Sequence, residues 1–552
     1  MGPVSQTFLH GSSLLAMQRT ADFIIVGGGS SGCVLASRLS EDPNVSVLLL
    51  EEGPSDRSPW IHLPVTYYKT GQGSLVGRYQ WTPKIGHTGD PNPTMVQARV
   101  LGGGSSVNAM VYLRGQPRDY DQWQAAGADN WGWKDVLPYF KKCESNDRFA
   151  NELHGTEGPL PVSDQEYTHP MSRIWVQACQ QAGLPYNPDF NSGEQEGCGF
   201  YQINSRNGRR GSTAVSYLKP ARKRKNLQVQ TNAKVLRIVF NGHRAVGIEV
   251  QFKRSRAVLY AAREIIVTAG AINTPKLLML SGLGNADDLK RHDVDLVKHL
   301  PGVGQNLQDH IEVSIIHEVN GPFSYDKYKK PHWQAIAGLE YLLFRRGPCT
   351  ANVVEGGAFF RSSLNEDRPD LQCCFMPGAG VEEGVDTVPG GNGTTLNICQ
   401  TRPKSVGWIG LRNNNPASPP YIMPNYLLED YDVEVMCEGV EFGRDIMSQP
   451  AISKYLRREY APGTSRTRKD VEAYVRKQAH AALHPMGTCK IGRDEMAVVD
   501  SDLKVHGIEG LRVCDNSVGP NLVSSNTNGV AIMIAEKGAD HIRRDHGLTS
   551  SG

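Results

Sequence analysis

The sequence predicts an α/β protein, α+β overall: a Rossmann-like dinucleotide-binding domain with a mixed sheet-and-helix domain inserted into it. Three observations carry this. A short apolar strand at 22–26 runs into a glycine-rich turn and a helix. A small antiparallel meander at 226–269 feeds a further buried strand. The 552 residues exceed what a single hydrophobic core organises, so two or more domains share the chain.

Asp22-Phe23-Ile24-Ile25-Val26 is apolar and β-branched, and Gly27-Gly28-Gly29-Ser30-Ser31-Gly32 follows it. Gly27, Gly29 and Gly32 form G-x-G-x-x-G at the strand-to-helix turn, and a second apolar run at 45–50 ends in Glu51. The first glycine permits the tight turn, the second lets the backbone approach a pyrophosphate, and the third lets helix and strand pack closely. Ser30 and Ser31 open a helix whose free N–H groups and positive dipole end suit phosphates, and Glu51 is placed to accept hydrogen bonds from a ribose diol. The motif leaves NAD and FAD both open; the acid argues only against a 2′-phosphate. The competing reading is a glycine-rich turn that only packs.

Residues 1–20 precede the first strand and read as a loose N-terminal extension. Residues 54–100 are rich in Pro, Gly and aromatics, including Trp60, Tyr67, Tyr68, Tyr79 and Trp81, and long irregular stretches of this kind are usually functional loops. A second glycine-serine cluster, Gly102-Gly103-Gly104-Ser105-Ser106 followed by Val107 and Asn108, implies close backbone approach to a flat or anionic group. Residues 115–145 read as helical, anchored by Tyr120, Trp123, Trp131, Trp133, Val136, Leu137 and Phe140. Short strands follow at 227–229, 235–239, 245–250 and 265–267, with Asn241-Gly242 as a hairpin turn. Helices are expected at 274–280, 334–346, 427–445, 468–480 and 531–542, and strands at 371–375, 395–400 and 408–411.

Hydrophobic content of 39% and charged content of 21% fit a globular protein, and a net charge of +2 implies no nucleic-acid or acidic-surface partner. The basic run at 219–225 reads as a solvated turn, with a phosphate or partner patch as the alternative. Eleven scattered cysteines without C-x-x-C fit a reducing compartment and no structural metal. No apolar run reaches the roughly 18 residues that cross a bilayer, so no transmembrane segment is expected. The expected location is the cytoplasm, with peripheral attachment to a membrane as the alternative.

The chain resembles the glucose–methanol–choline (GMC) oxidoreductases from Asp22 to Ile542. Residues 98–121 match the first signature of that family, and 270–284 (GAINTPKLLMLSGLG) match the second. The run 301–310 is also family-like, as are His484-Pro485-Met486-Gly487, Asp515-Asn516-Ser517 and Asn526-Thr527-Asn528. The choline dehydrogenase-like and aryl- or furfuryl-alcohol oxidase-like branch is the nearest in pattern. The resemblance implies FAD at the glycine motif. Gly27, Gly29, Ser30, Ser31, Gly32 and Glu51 would hold the ADP half, and Val235 would meet the adenine through its backbone. Gly103, Ser105 and Asn108 would run along the flavin, and Asp515, Asn526 and Thr527 would approach the ribityl chain and ring. It also implies an FAD-binding domain from 21–159, 205–310 and 484–545, and a substrate-binding domain from 160–204 and 311–483. Some relatives carry a histidine bonded to the flavin where this chain has Val107, so non-covalent FAD is expected.

Alcohol oxidation removes a hydroxyl proton and a carbon-bound hydride, and the cofactor carries the redox chemistry. The resemblance gives His484 the role of base, with the hydride passing to flavin N5, and places Asn526 as a hydrogen-bond partner of the substrate oxygen. Histidine's ordinary pKa suits a base at neutral pH. His310 and His480 are expected to be structural or supporting, Cys489 and Cys514 to pack, and Glu355 to be a surface or ion-paired carboxylate rather than a cavity acid selecting a cationic alcohol such as choline. The expected partners are a small-molecule alcohol and an acceptor, either O2 or a quinone or dye. The alternatives are a lyase of the hydroxynitrile type and a flavin-binding protein without catalysis.

Overall fold

The computed structural model describes residues 20–83, 93–365, 367–380, 386–464 and 467–549. The expected extension at 1–20 thus falls, but for Thr20, outside the described residues. Two large sheets organise the chain. The first runs in the order Leu227–Gln230, Val47–Leu50, Thr20–Val26, Arg256–Val267, Arg244–Gln251 and Lys234–Asn241. Its first four strands are parallel, and the apolar segments 23–26, 47–50 and 265–267 are buried at its centre. The meander is present, with Asn241 opposite Arg244 across the predicted turn. Arg256–Val267 changes neighbour along its length: 256–260 pairs antiparallel with Arg244–Gln251, and 265–267 pairs parallel with Leu511–Val513. That second pairing draws the C-terminal segment to the strand beside the glycine turn.

The last helix, Asn528–His546, packs on the first, Ser30–Leu39. Ser30 Oγ donates to Asn528 Oδ1 (2.7 Å), Ser31 Oγ to Ala531 O (2.9 Å), and Arg38 pairs with buried Glu536 (2.8 Å). Residues some 500 positions apart are therefore fixed against each other by the same helix that follows the glycine turn.

The second sheet is antiparallel, in the order Leu456–Ala461, Ile311–Val319, Gly393–Gln400, Leu371–Met376, Gly356–Phe360 and Gly197–Phe200. The helices Asp430–Ser448 and Pro170–Gln181 cover it over a separate apolar core. His480–Ala481 pairs with the start of Ile311–Val319 and leads directly to His484.

Four expectations need correcting. Residues 115–145 form two helices, Pro117–Ala125 and Trp133–Cys143. They break at Gly127, whose φ of +97° a helix cannot hold. Trp133 and Leu137 are half-buried rather than core. The helix expected to reach 480 ends at Gln478, because His480 joins the sheet. In the basic run Arg222, Lys223 and Lys225 are exposed as expected, but Arg224 is half-buried and donates to Ser40 Oγ (2.8 Å) and Ser37 O.

Candidate active site

A cavity of about 920 Å³ lies where the C-terminal ends of the parallel strands meet the second sheet. That is near the upper limit for small-molecule sites, about 300–1,000 Å³. Gly27, Gly29, Ser30, Ser31, Glu51, Gly103, Asn108, Val235, Asp515, Asn526, Thr527 and His484 all line it. Gly32 and Ser105 lie behind the wall. A Cβ at Gly32 would come within 1.9 Å of Gly27 O, so this position sets the helix-to-turn approach. Ser105 Oγ donates to Gly102 O (2.6 Å) and accepts from Thr213 N (3.0 Å), bracing the second glycine cluster.

The two glycine clusters touch. A Cβ on Gly103 would sit 2.6 Å from Gly29 Cα, whereas one on Gly29 would project into space, with no neighbour nearer than 3.9 Å. The wall is thus bare backbone where a pyrophosphate approaches closest. Glu51 accepts from Gly28 N (2.8 Å) and Gly53 N (2.7 Å), so it shapes this turn as well as facing the cavity. Burial raises its pKa. Asp515 accepts from Gly270 N (2.8 Å) and Thr274 Oγ1 (2.7 Å) at the start of the helix Gly270–Leu280, which also opens onto the cavity.

Asn108 is held from behind by Arg210. That guanidinium is buried with no carboxylate partner among the described residues, and donates to Asn108 Oδ1 (2.8 Å), Ser105 O (3.1 Å) and Ile61 O (2.8 Å). Burial lowers its pKa to about 9, and its Nη2 is buried with no hydrogen-bond partner among the described residues. These donors, acids and bare backbone fit an FAD molecule.

At the other side of the cavity a hydrogen-bond relay fixes the protonation of His484. His310 Nε2 lies 3.1 Å from Thr401 O and 3.0 Å from Val523 O, so it must be the protonated nitrogen. Burial lowers the His310 pKa to about 4, leaving a neutral ring with Nδ1 as acceptor. His484 Nδ1 stands 3.0 Å from it and therefore donates. His484 Nε2 is left unprotonated, accepting from Asn526 Nδ2 at 3.1 Å. Gln372 Nε2 donates to Asn526 Oδ1 (3.2 Å), which turns the amide nitrogen toward the histidine. Burial, then the His310 ring, hold the His484 pKa well below the ordinary imidazole value. Leu483, just before it, has φ +65°, a conformation a branched side chain adopts only when its surroundings impose it. The backbone N–H of His484 donates to Asp309 Oδ1 (2.7 Å), and Tyr426 OH donates to Asp309 Oδ2 (2.5 Å).

Glu355 is neither at the surface nor in the cavity, and among the described residues it makes no ion pair. It is fully buried, accepting from His169 N (2.7 Å) and from Tyr325 OH, and burial raises its pKa to about 7. Its neighbour Val354 lines the cavity instead. Cys489 and Cys514 are buried, and burial raises the pKa of both thiols. His480 contacts Glu312 at 3.2 Å, and both line the cavity. Of the aromatics at 60–81, Tyr67, Tyr68 and Tyr79 line it; Trp60 and Trp81 do not. Asp309, Gln372 and Arg210 were not foreseen. The available signal for Gln372 was a polar residue inside the apolar strand Leu371–Met376.

Comparison with known proteins identifies the family. The family models for the two halves of the GMC oxidoreductases match residues 21–312 and 403–535. An alcohol dehydrogenase (acceptor) of Pseudomonas putida is 42% identical over 535 residues, covering 96% of this chain and 97% of its own. A mitochondrial choline dehydrogenase of Mus musculus is 42% identical over 538 residues, covering 94% and 89%. The crystal structure of pyridoxine 4-oxidase from Mesorbium loti superposes with a TM-score of 0.86 at 30% identity, covering 96% of this chain and 100% of that one. The chain belongs to the GMC oxidoreductase family and is an FAD-dependent oxidoreductase.

Proposed function

We propose that the protein oxidises an apolar primary alcohol to its aldehyde, with His484 as the base, Asn526 as the group that orients the oxygen, and FAD held without a covalent bond. The observation that carries this reading is the Nε2–Nδ2 pair of His484 and Asn526 on the same cavity as both glycine clusters. A hydroxyl entering between them donates its proton to His484 Nε2, while its oxygen accepts the amide N–H of Asn526. Bound FAD supplies the two-electron acceptor for the hydride. Tyr67, Met110, Val354, Met376 and Leu483 on the cavity wall suit an apolar chain on the alcohol.

Mixing the holoenzyme anaerobically with a series of primary alcohols tests the activity. Loss of the oxidised flavin's visible absorbance is expected with apolar alcohols. No bleaching with any alcohol would overturn this reading.

The non-covalent attachment rests on Val107. It lines the cavity, and its isopropyl group has no nucleophilic atom to bond the isoalloxazine. Acid precipitation should therefore release all yellow colour into the supernatant. Flavin that stays with the pellet would disprove it.

A further inference from the structure

The helix Pro331–Phe344 presents an apolar face to solvent. It buries Ala337 and Tyr341, which pack on Cys349, Leu63 and Val65. At 100° per residue the opposite side carries Ile336, Leu339, Leu342 and Leu343. Their exposures are 55%, 57%, 69% and 63%, and Phe344 at the C-terminal end is 60% exposed. A surface helix of a globular protein ordinarily turns charged residues outward at these positions. Scattered exposed leucines are unremarkable, but a contiguous patch of this kind marks an interaction surface.

The charges around the helix indicate what covers it. Residues 326–346 hold five basic side chains (Lys327, Lys329, Lys330, Arg345, Arg346) against two acidic ones (Asp326, Glu340), a local net of +3 that the near-neutral chain total conceals. The basic groups flank both ends of the apolar stripe. Asp326 pairs with Lys329 (2.6 Å) and Glu340 with Arg346 (3.5 Å), so the acids sit within the basic collar. Lys327 lies over the rings of Tyr328 (4.9 Å) and Trp333 (5.4 Å) at the N-terminal end. Apolar side chains between cationic ends, with a tryptophan at the boundary, suit the headgroup region of a bilayer. A second copy of this surface would bring two such collars together and be repelled.

We propose that Pro331–Phe344 is an interfacial anchor that lays its apolar face into an anionic phospholipid membrane. Its 14 residues extend about 21 Å and lie in the surface; among the described residues no helix is long and apolar enough to cross a bilayer. The anchor lies close to the cavity wall, because Leu63 and Val65 beneath it lead within a few residues to Tyr67 and Tyr68, which line it. Apolar alcohols concentrate in that boundary; this consequence, unlike the anchor, rests on the proposed activity.

Flotation of the holoenzyme with phosphatidylcholine vesicles, with and without phosphatidylglycerol, tests the anchor independently of turnover. The parent should float with the anionic vesicles and less with the neutral ones, and high salt should release part of it. The double variant Leu339→Glu/Leu343→Glu should lose binding by about tenfold or more, with activity on a water-soluble alcohol unchanged in the absence of vesicles. The variant Lys327→Glu/Lys330→Glu, which leaves the apolar face intact, should weaken anionic binding by about tenfold or more. The proposal fails if the parent stays in solution, if both variants float like the parent, or if neutral vesicles bind it equally well. It also fails if the parent is a dimer that the leucine variant dissociates, which would make the face an interface between copies.

Discussion

Replacing His484 with glutamine slows alcohol-dependent flavin reduction by about 10²–10⁴-fold, the range for a positioned general base, while FAD remains bound. Glutamine keeps a polar side chain beside Asn526 and His310, so the cavity wall persists. It lacks a lone pair basic enough to take a hydroxyl proton at neutral pH. Stopped-flow reduction under anaerobic conditions measures the effect directly, and a parental rate would remove His484 from the reaction. The pH profile carries a second signature. Because burial holds the His484 pKa below 6.5, the ring is neutral and competent throughout the neutral range. The rate should be flat there and fall only on the acid side, below the ordinary imidazole value. A limb centred near 7 would instead assign control to Asp309, whose carboxyl burial raises to about 7 and which faces the His484 backbone N–H. The other groups against the ring do not compete: burial lowers the His310 pKa to about 4, and Asn526 has no proton to titrate in this range.

The parts of this molecule legible in its sequence are those where local chemistry and function coincide. The turn after Val26 needs glycines for its own geometry, and the same glycines mark the cofactor wall. The meander announces itself through β-branched runs and Asn241-Gly242. His484 was reachable through the family pattern, since a histidine before a proline says little by itself. What was not legible depends on contacts between distant residues. The tautomer of His484 is set by His310, 174 positions away, which is itself set by the carbonyls of Thr401 and Val523. The orientation of Asn526 is set by Gln372, 154 positions away. Glu355 reads as a surface or paired carboxylate because nothing near it in sequence shows that Tyr325 OH and His169 N will satisfy it. A helix at 334–346 was legible, but periodicity cannot distinguish a helix buried by its own protein from one left open. Only the packing of Ala337 and Tyr341 shows which face remains.

The largest effect on stability should come from a cluster outside the cavity. Arg114, Glu144 and His154 are completely buried and ion-paired. Glu144 accepts from the Arg114 guanidinium, from Asn146 Nδ2 (2.9 Å) and from Gly155 N (2.9 Å), and meets His154 Nδ1 at 3.0 Å. The second histidine nitrogen reaches Asp189 at 2.9 Å. Burial alone would raise the Glu144 pKa, yet the bonds from His154 and the charge of Arg114 hold it low; burial opposes charge on His154 too, but the bonds to Asp189 and Glu144 raise its pKa. Arg114 thus faces the Glu144 carboxylate directly, and His154 bridges Glu144 and Asp189. Arg114 lies six residues beyond Asn108, and its backbone N–H donates to Asn191 Oδ1 (2.9 Å), so the cluster ties the chain leaving the cavity wall to the 144–162 ribbon and the 187–191 loop. Glu144→Gln strands a buried guanidinium and should destabilise the fold by about 3–5 kcal/mol. In a protein of this size the measurable form is a lower unfolding temperature, with FAD released in the same transition. The discriminating variant is the double one. Arg114→Met/Glu144→Gln removes the stranded charge with its partner, so it should be more stable than Glu144→Gln alone, a coupling that a thermodynamic cycle reads out. If the double variant is instead as unstable as the sum of the two single losses, the residues act independently. The cluster then contributes through packing rather than through paired charge.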